Sequence, residues 1–205
     1  TRMVLIRLGE GGLFVCSPVA LSEPLRAAVD ALGPVRFIVA PNGLHDLAMP
    51  AWRAAYPRAL AFAAPGQRKP RQIGFDATLG DAPAPGWAQD IDQAVMGGNL
   101  ITTEVVFFHR PSRSVLFTDL LQNFPHGWFT GWRAMAARLD GMLAREPRVP
   151  QKFRLAFTDR NAARQGLRKI LSWPAERVLM AHGEPVRADG QAFLKRAFGW
   201  MGGDV

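Results

Sequence analysis

Short apolar runs recur along the chain, and three of them stop on a histidine or an aspartate. Phe37 to Ala40 (FIVA) leads into Pro41, Asn42, Gly43, Leu44, His45 and Asp46. Ser114 to Thr118 (SVLFT) leads into Asp119 and then Leu120, Leu121, Gln122 and Asn123. Arg177 to Ala181 (RVLMA) leads into His182 and Gly183. Runs of this length, rich in β-branched and aromatic residues and bounded by turn formers, are predicted to be interior strands. Ligands and catalytic groups commonly gather at one end of such strands. A sheet that delivers imidazole and carboxylate to one edge can hold a metal.

The remaining pattern alternates strand and helix. Met3 to Leu8, a glycine-containing turn over Gly9 to Gly12, and Leu13 to Cys16 predict a hairpin. Ser22 is placed to cap a helix with Pro24 in its first turn and Gly33-Pro34 at its end. That helix feeds a strand over Val35 to Ala40. A short helix around Pro50 to Tyr56 and a strand over Ala59 to Ala64 follow. From Gly66 to Gly98 no clear period survives. Glu104 to His109 and Ser114 to Thr118 then form a second hairpin, closed by a turn with Pro111 at its second position. A helix over Trp132 to Leu143 carries Trp132, Met135, Ala136, Leu139, Met142 and Leu143 on one stripe. Another, over Asn161 to Leu171, carries Ala163, Leu167, Ile170 and Leu171, and both are expected to pack on a sheet. Phe193, Leu194, Ala197, Trp200 and Met201 face inward from a C-terminal helix. Pattern alone therefore predicts α/β or α+β architecture.

Composition narrows the setting. A length of 205 residues, 48% hydrophobic, suits one buried core, so a single domain over residues 1–205 is expected. No apolar run approaches the roughly 20 residues of a membrane span, and no secretion signal is visible, so a cytoplasmic protein with no membrane partner is expected. Cys16 lies inside the apolar run LFVC and reads as core rather than as a reactive thiol. The net charge of +8 is carried mainly by arginine and predicts a small, anionic partner molecule. The cluster Arg160, Arg164, Arg168 and Lys169 reads as a solvated helix face. Without aromatic interleaving or a recognisable motif, nucleic acid is not expected.

The three polar endings, together with the stretches GGLFVCSPVAL, VRFIVAPNGLHDL and EVVFFHRPSRSVLFTDLLQNF, resemble the metallo-β-lactamase-like superfamily over most of the chain. The nearest likeness is to a subgroup of that fold with an incomplete metal-ligand motif and no reaction attached to it. The resemblance implies a four-layer αββα sandwich of two mixed sheets. It places Asp119 where the superfamily has its bridging aspartate and His182 where it has its terminal histidine. The window Pro41 to Leu47 falls where a His-x-His-x-Asp-His loop belongs. If Asp46 takes that loop's aspartate, the histidine positions fall on Asn42, Leu44 and Leu47, and His45 stands in for them. The further histidine expected before Glu104 is missing, since that region reads Gly97, Gly98, Asn99, Leu100. His109 sits at the hairpin turn, at the far end of the strands from Asp119.

On that resemblance the ligand set reduces to His45, Asp119 and His182. Asp46 would be the general base, with Asn42, Gln122 and His126 as substrate contacts. Two histidines and a carboxylate suit at most one zinc, iron or manganese ion, and the shortfall of ligands tips the expectation toward none. Two readings follow. One is a metallo-hydrolase with a reduced site, acting on a small ester, thioester, lactone or phosphoester. The other is a non-catalytic binding module that holds a small anionic ligand in the former active-site cleft.

Overall fold

The computed structural model describes residues 1–66, 73–125, 127–143 and 146–202. The first sheet has five strands, β1 (Val4–Arg7), β2 (Leu13–Cys16), β3 (Val35–Ala40), β4 (Leu60–Ala63) and β5 (Ala77–Thr78), in that spatial order. β1 and β2 are the expected antiparallel hairpin, and β2, β3, β4 and β5 then run parallel. The second sheet has four strands, β6 (Ile91–Met96), β7 (Glu104–His109), β8 (Ser114–Asn123) and β9 (Arg177–Gly183). Its first two pairings are antiparallel and the last, β8 with β9, is parallel. Both sheets are mixed.

Side-chain alternation builds the layers. Along β3, Phe37 and Val39 point to the second sheet, while Ile38 and Ala40 join Val29, Met49 and Trp52 on the outer face. Along β7, Val105 and Phe107 point to the first sheet, while Val106 and Phe108 join Leu167, Ile170 and Phe193. Each sheet therefore buries both faces, one against the other sheet and one against helices, which gives the αββα order. Helices α1 (Glu23–Leu32) and α2 (Met49–Ala55) cover the first sheet, and α4 (Gln151–Ala156), α5 (Arg160–Ser172) and α6 (Gly190–Phe198) cover the second. Ser22 caps α1 as the sequence predicts, accepting from the Leu25 N–H at 3.4 Å. Gly166 lets α5 sit close on β6: a Cβ there would fall 2.2 Å from the Val95 carbonyl oxygen.

The aromatic centre lies between the sheets. Trp87 is fully buried, and its ring meets Phe14, Phe37 and Phe62 edge-on at 5.2, 4.9 and 4.7 Å between centroids. Its indole N–H donates to Gln93 Oε1 at 3.1 Å, which satisfies the one polar atom of the ring.

The structure departs from the sequence expectations at several elements. β8 does not stop at Thr118 but continues to Asn123 through an irregularity in its pairing with β9 between Phe117 and Gln122. The unpatterned stretch contains a full strand, β6, hidden because Asp92 and Gln93 interrupt its apolar run. The helix expected over Trp132 to Leu143 is α3 (Gly131–Leu139), and it ends before Gly141, whose φ is 76°. Its stripe does not pack on a sheet: Trp132, Met135 and Leu139 are 72%, 64% and 76% exposed, and Ala137 is the buried residue. The basic cluster on α5 is partly structural, since Arg164 donates to the carbonyls of Met201 and Gly202, and Lys169 pairs with Asp92 at 3.0 Å.

Candidate metal centre

Asn42 shapes the loop that leaves β3. Its side-chain oxygen accepts the N–H groups of Leu44 and His45 at 2.8 and 3.1 Å, curling the chain back so that the His45 ring turns inward. Ser17, the residue after β2, holds that ring from behind. Ser17 has φ 57°, its N–H donates to Val39 O at 2.9 Å, and its hydroxyl lies 2.6 Å from His45 Nδ1. The same loop is tied to the second sheet by Val105 N–H donating to Pro41 O at 2.8 Å.

Asp119 rides on the irregular part of β8, and Glu104 organises it. One oxygen of Glu104 accepts the N–H of Thr118 at 2.7 Å, and the other accepts those of Asp119 and Leu120 at 2.8 and 3.1 Å. Asn42 Nδ2 lies within 3.3 Å of Glu104, 2.8 Å of Thr118 Oγ1 and 2.9 Å of Asp119 Oδ2, which links the loop to the bulge. Complete burial, and secondarily the charge of Asp119, push the Glu104 carboxyl up from its ordinary pKa. Burial also opposes ionisation of Asp119, but hydrogen bonds from His182, His45 and Asn42 prevail and hold that carboxyl well below the usual carboxylate range.

His182 arrives from the end of β9. The next residue, Gly183, has φ 115°, and a Cβ there would fall 1.7 Å from the Asn123 carbonyl oxygen, so only glycine lets β9 close onto β8 at this point. The three expected ligand residues are thus brought together. His45 Nε2 is 3.2 Å from Asp119 Oδ2, His182 Nε2 is 3.3 Å from Asp119 Oδ1, and the two Nε2 atoms are 3.2 Å apart.

The 3.2 Å between the two Nε2 atoms fits one edge of a divalent ion's coordination shell, and one donor atom from each of the three residues lies within 4.8 Å of the others. Ligand atoms about 2.0–2.1 Å from a tetrahedral ion lie roughly 3.3 Å from one another. The donor set also agrees: two imidazoles and a carboxylate, with a hydroxyl on the remote nitrogen of His45 to fix its tautomer. Direct hydrogen bonding accounts for the triangle less completely. If both Nε2 atoms donate to Asp119, their own 3.2 Å contact places two N–H groups face to face with no acceptor between them.

The other residues singled out from the sequence take different places. Asp46 is 4% exposed, stands outside the ligand triangle, and does not line the cavity described below. Asn42 is fully buried and positions Asp119. Gln122 is 4% exposed; its Nε2 donates to Asp119 O at 3.1 Å, and its Oε1 has no hydrogen-bond partner among the described residues. His126 lies outside the described residues. His109 bonds Ser112 Oγ at 2.7 Å in the β7–β8 turn, as its position in the hairpin predicts. Cys16 is buried, and burial raises its thiol pKa far above normal, in line with a core residue. Sequence reasoning missed Ser17, Thr118 and Glu104. For Glu104 a signal existed: a lone acid heading the apolar run VVFF.

The triangle forms part of the wall of a cavity of about 650 Å³. Pro18, Val19, Leu21, Leu44, Leu47 and Ala51 make most of the rest, and no arginine or lysine lines it among the described residues. His182 is shared with a second cavity of about 280 Å³ that includes Phe124, Pro125 and Trp128.

Two mixed sheets face to face between helices, with histidine and aspartate converging at strand ends, define the metallo-β-lactamase fold, and this chain has it. By sequence it belongs to the family described as "Domain of unknown function (DUF4336)", whose profile matches residues 1–128. No curated protein matches the chain by sequence. Among solved structures, a metallo-β-lactamase from Pontibacter korlensis superposes with a TM-score of 0.60 at 12% identity, over 97% of this chain and 86% of that one. The mono-zinc form of the metallo-β-lactamase FIM-1 from Pseudomonas aeruginosa gives 0.57 at 13% identity, over 97% and 83%. The metal-soaked Flv1 flavodiiron core from Synechocystis gives 0.63 at 11% identity, and the match covers 97% of this chain but 52% of that protein. Identities this low establish the fold alone. Among the described residues, no helix is long and apolar enough to cross a membrane.

Proposed function

We propose that this chain is a hydrolase built around a single divalent ion held by His45, Asp119 and His182, acting on a small uncharged acyl compound such as an ester, thioester or lactone. The observation that carries the reading is the convergence of two imidazole Nε2 atoms 3.2 Å apart, each within 3.3 Å of a different oxygen of Asp119, in the wall of a cavity of about 650 Å³. When bound, zinc, iron or manganese would supply Lewis-acid polarisation of a substrate oxygen and lower the pKa of a water toward roughly 7. The protein's own part is positioning. Ser17 orients the His45 ring, Asn42 holds one oxygen of Asp119, and Glu104 fixes the backbone on which Asp119 stands. The apolar side chains beside the triangle lower the polarity around it and so strengthen the electrostatics of the site. A phosphoester fits less well, because no arginine or lysine lines the cavity among the described residues.

Metal titration tests this. Zinc added to metal-stripped protein at about 100 times its dissociation constant should stabilise the fold by about 2.7 kcal/mol, a rise in Tm of roughly 5–11 °C for a chain of this size. His182→Ala, at a partly exposed position, should abolish the rise while leaving the fold intact. No rise with zinc, iron or manganese would remove the proposal. It would also favour the second reading, a metal-free binding module, which is supported by the fact that the same contacts lie within hydrogen-bond range.

A further inference from the structure

We infer that the site takes a two-part substrate, an uncharged acyl compound whose aliphatic chain fills the larger cavity and whose planar leaving group lies in the smaller one against Phe124 and Trp128; this rests on the hydrolase reading above. The geometry behind it is the position of His182, which forms part of the wall of both cavities. A carbonyl held beside His182 would have one substituent directed into each. Hydrolysis there adds the hydroxyl of water to the acyl carbon, breaks the bond to the leaving oxygen or sulfur, and returns the water's other proton to that atom.

The walls differ in chemistry. Leu44 and Leu47 flank the His45–Asp46 step and are 48% and 69% exposed, although each is large and apolar. With Leu21, Ala48 and Ala51 they leave a surface suited to methylenes, and about 650 Å³ is within the range that encloses small molecules. The smaller cavity is aromatic on one side, where Phe124 and Trp128 lie, and carries Arg2 and Glu184 elsewhere in its wall. Phe124 packs 5.9 Å from the His182 ring and 5.9 Å from Trp128, whose side chain is 62% exposed. Planar groups stack on such faces. Among the described residues Arg2 is the one arginine or lysine lining the smaller cavity, and its guanidinium is already engaged with the carbonyls of Met180 and Gly183 at 2.7 and 2.9 Å. Apolar surface that is exposed and concentrated around a polar triangle marks a binding site rather than a packing defect.

Calorimetry on metal-stripped protein tests the inference with unreactive amides in place of the substrate. The probes are N-phenylhexanamide, N-phenylacetamide, hexanamide and hexanoate. N-phenylhexanamide should bind at least tenfold tighter than either N-phenylacetamide or hexanamide, since each buried methylene contributes up to about fourfold. Hexanoate should bind more weakly than hexanamide. Leu47→Ser, at an exposed position, should remove most of the gain from the longer chain. Trp128→Ala should remove most of the gain from the phenyl group. Both variants should keep the zinc-induced rise in Tm. Affinity independent of chain length, tighter binding of the carboxylate than of the amide, or indifference to both substitutions would overturn the inference. Amide binding without any zinc response would instead uphold the two-part cavity and remove the metal, so the two failures are distinguishable.

Discussion

Glu104→Gln isolates the role of the buried carboxylate in presenting Asp119. Glu104 accepts three successive backbone N–H groups, one on Oε1 and two on Oε2, and Asn42 Nδ2 approaches the latter oxygen as well. Glutamine keeps the volume but turns one acceptor into a donor. Whichever way the amide is turned, at least one buried N–H then faces another N–H. A buried donor left unsatisfied costs about 1–3 kcal/mol, and at about 2–4 °C per kcal/mol for a domain of this size the Tm should fall by roughly 2–12 °C. Glu104→Leu removes both acceptors and orphans every donor, so its loss should be larger. Scanning calorimetry reads both variants, with circular dichroism to confirm that secondary structure persists. If Glu104→Gln melts within about 1 °C of the parent, or Glu104→Leu is no worse than Glu104→Gln, the carboxylate does not organise the bulge.

Three further outcomes follow from contacts elsewhere in the fold. Ser17→Ala should weaken zinc binding by roughly 10- to 100-fold, as loss of a hydrogen bond to the remote nitrogen of a ligand histidine does, with competition against a zinc-sensitive dye as the measurement. Gly183→Ala forces a Cβ to within 1.7 Å of Asn123 O at φ 115°; it should cost more than about 4 kcal/mol, read as the urea midpoint or as loss of folded protein. Burial opposes ionisation of Asp92, but Lys169, the Gln93 N–H and Trp173 outweigh it and hold the carboxyl below its ordinary value. A depressed carboxyl stabilises the fold above its unfolded value of about 4 and loses that contribution as pH falls through the folded value. Asp92→Asn should therefore be less stable than the parent at pH 7, with the gap closing below roughly pH 4.

The candidate site was legible because its three residues stand at or just beyond the ends of apolar runs. FIVA, SVLFT and RVLMA announce strands by composition; Asp119 and His182 follow the last two directly, His45 follows the first after a short turn that begins with Pro41 and Asn42, and these three meet. What supports them was not legible, because each supporting residue acts through a contact between distant segments. Ser17 reads as the end of an apolar run, and its hydroxyl has meaning only once β2 and β3 lie side by side. Asn42 was visible as a turn former and candidate substrate contact, not as the group that ties Asp119 down. β6 was hidden by Asp92 and Gln93, which are polar because Trp173, Trp87 and the Gly80 carbonyl wait for them across the fold. The stripe on α3 misled for the opposite reason: its period is helical, but no sheet lies beneath it, and what it faces is solvent.

His45 descends from the first sheet while Asp119 and His182 belong to the second, so an ion seated among them would rivet two halves of the molecule. The separation of those halves is gauged far from the rivet by one indole, Trp87, wedged among three phenylalanine rings. Thinning that wedge, for instance to leucine, would let the halves settle nearer each other and misalign the holes through which the rivet passes. Affinity for an ion would then be tuned by a side chain that never touches it.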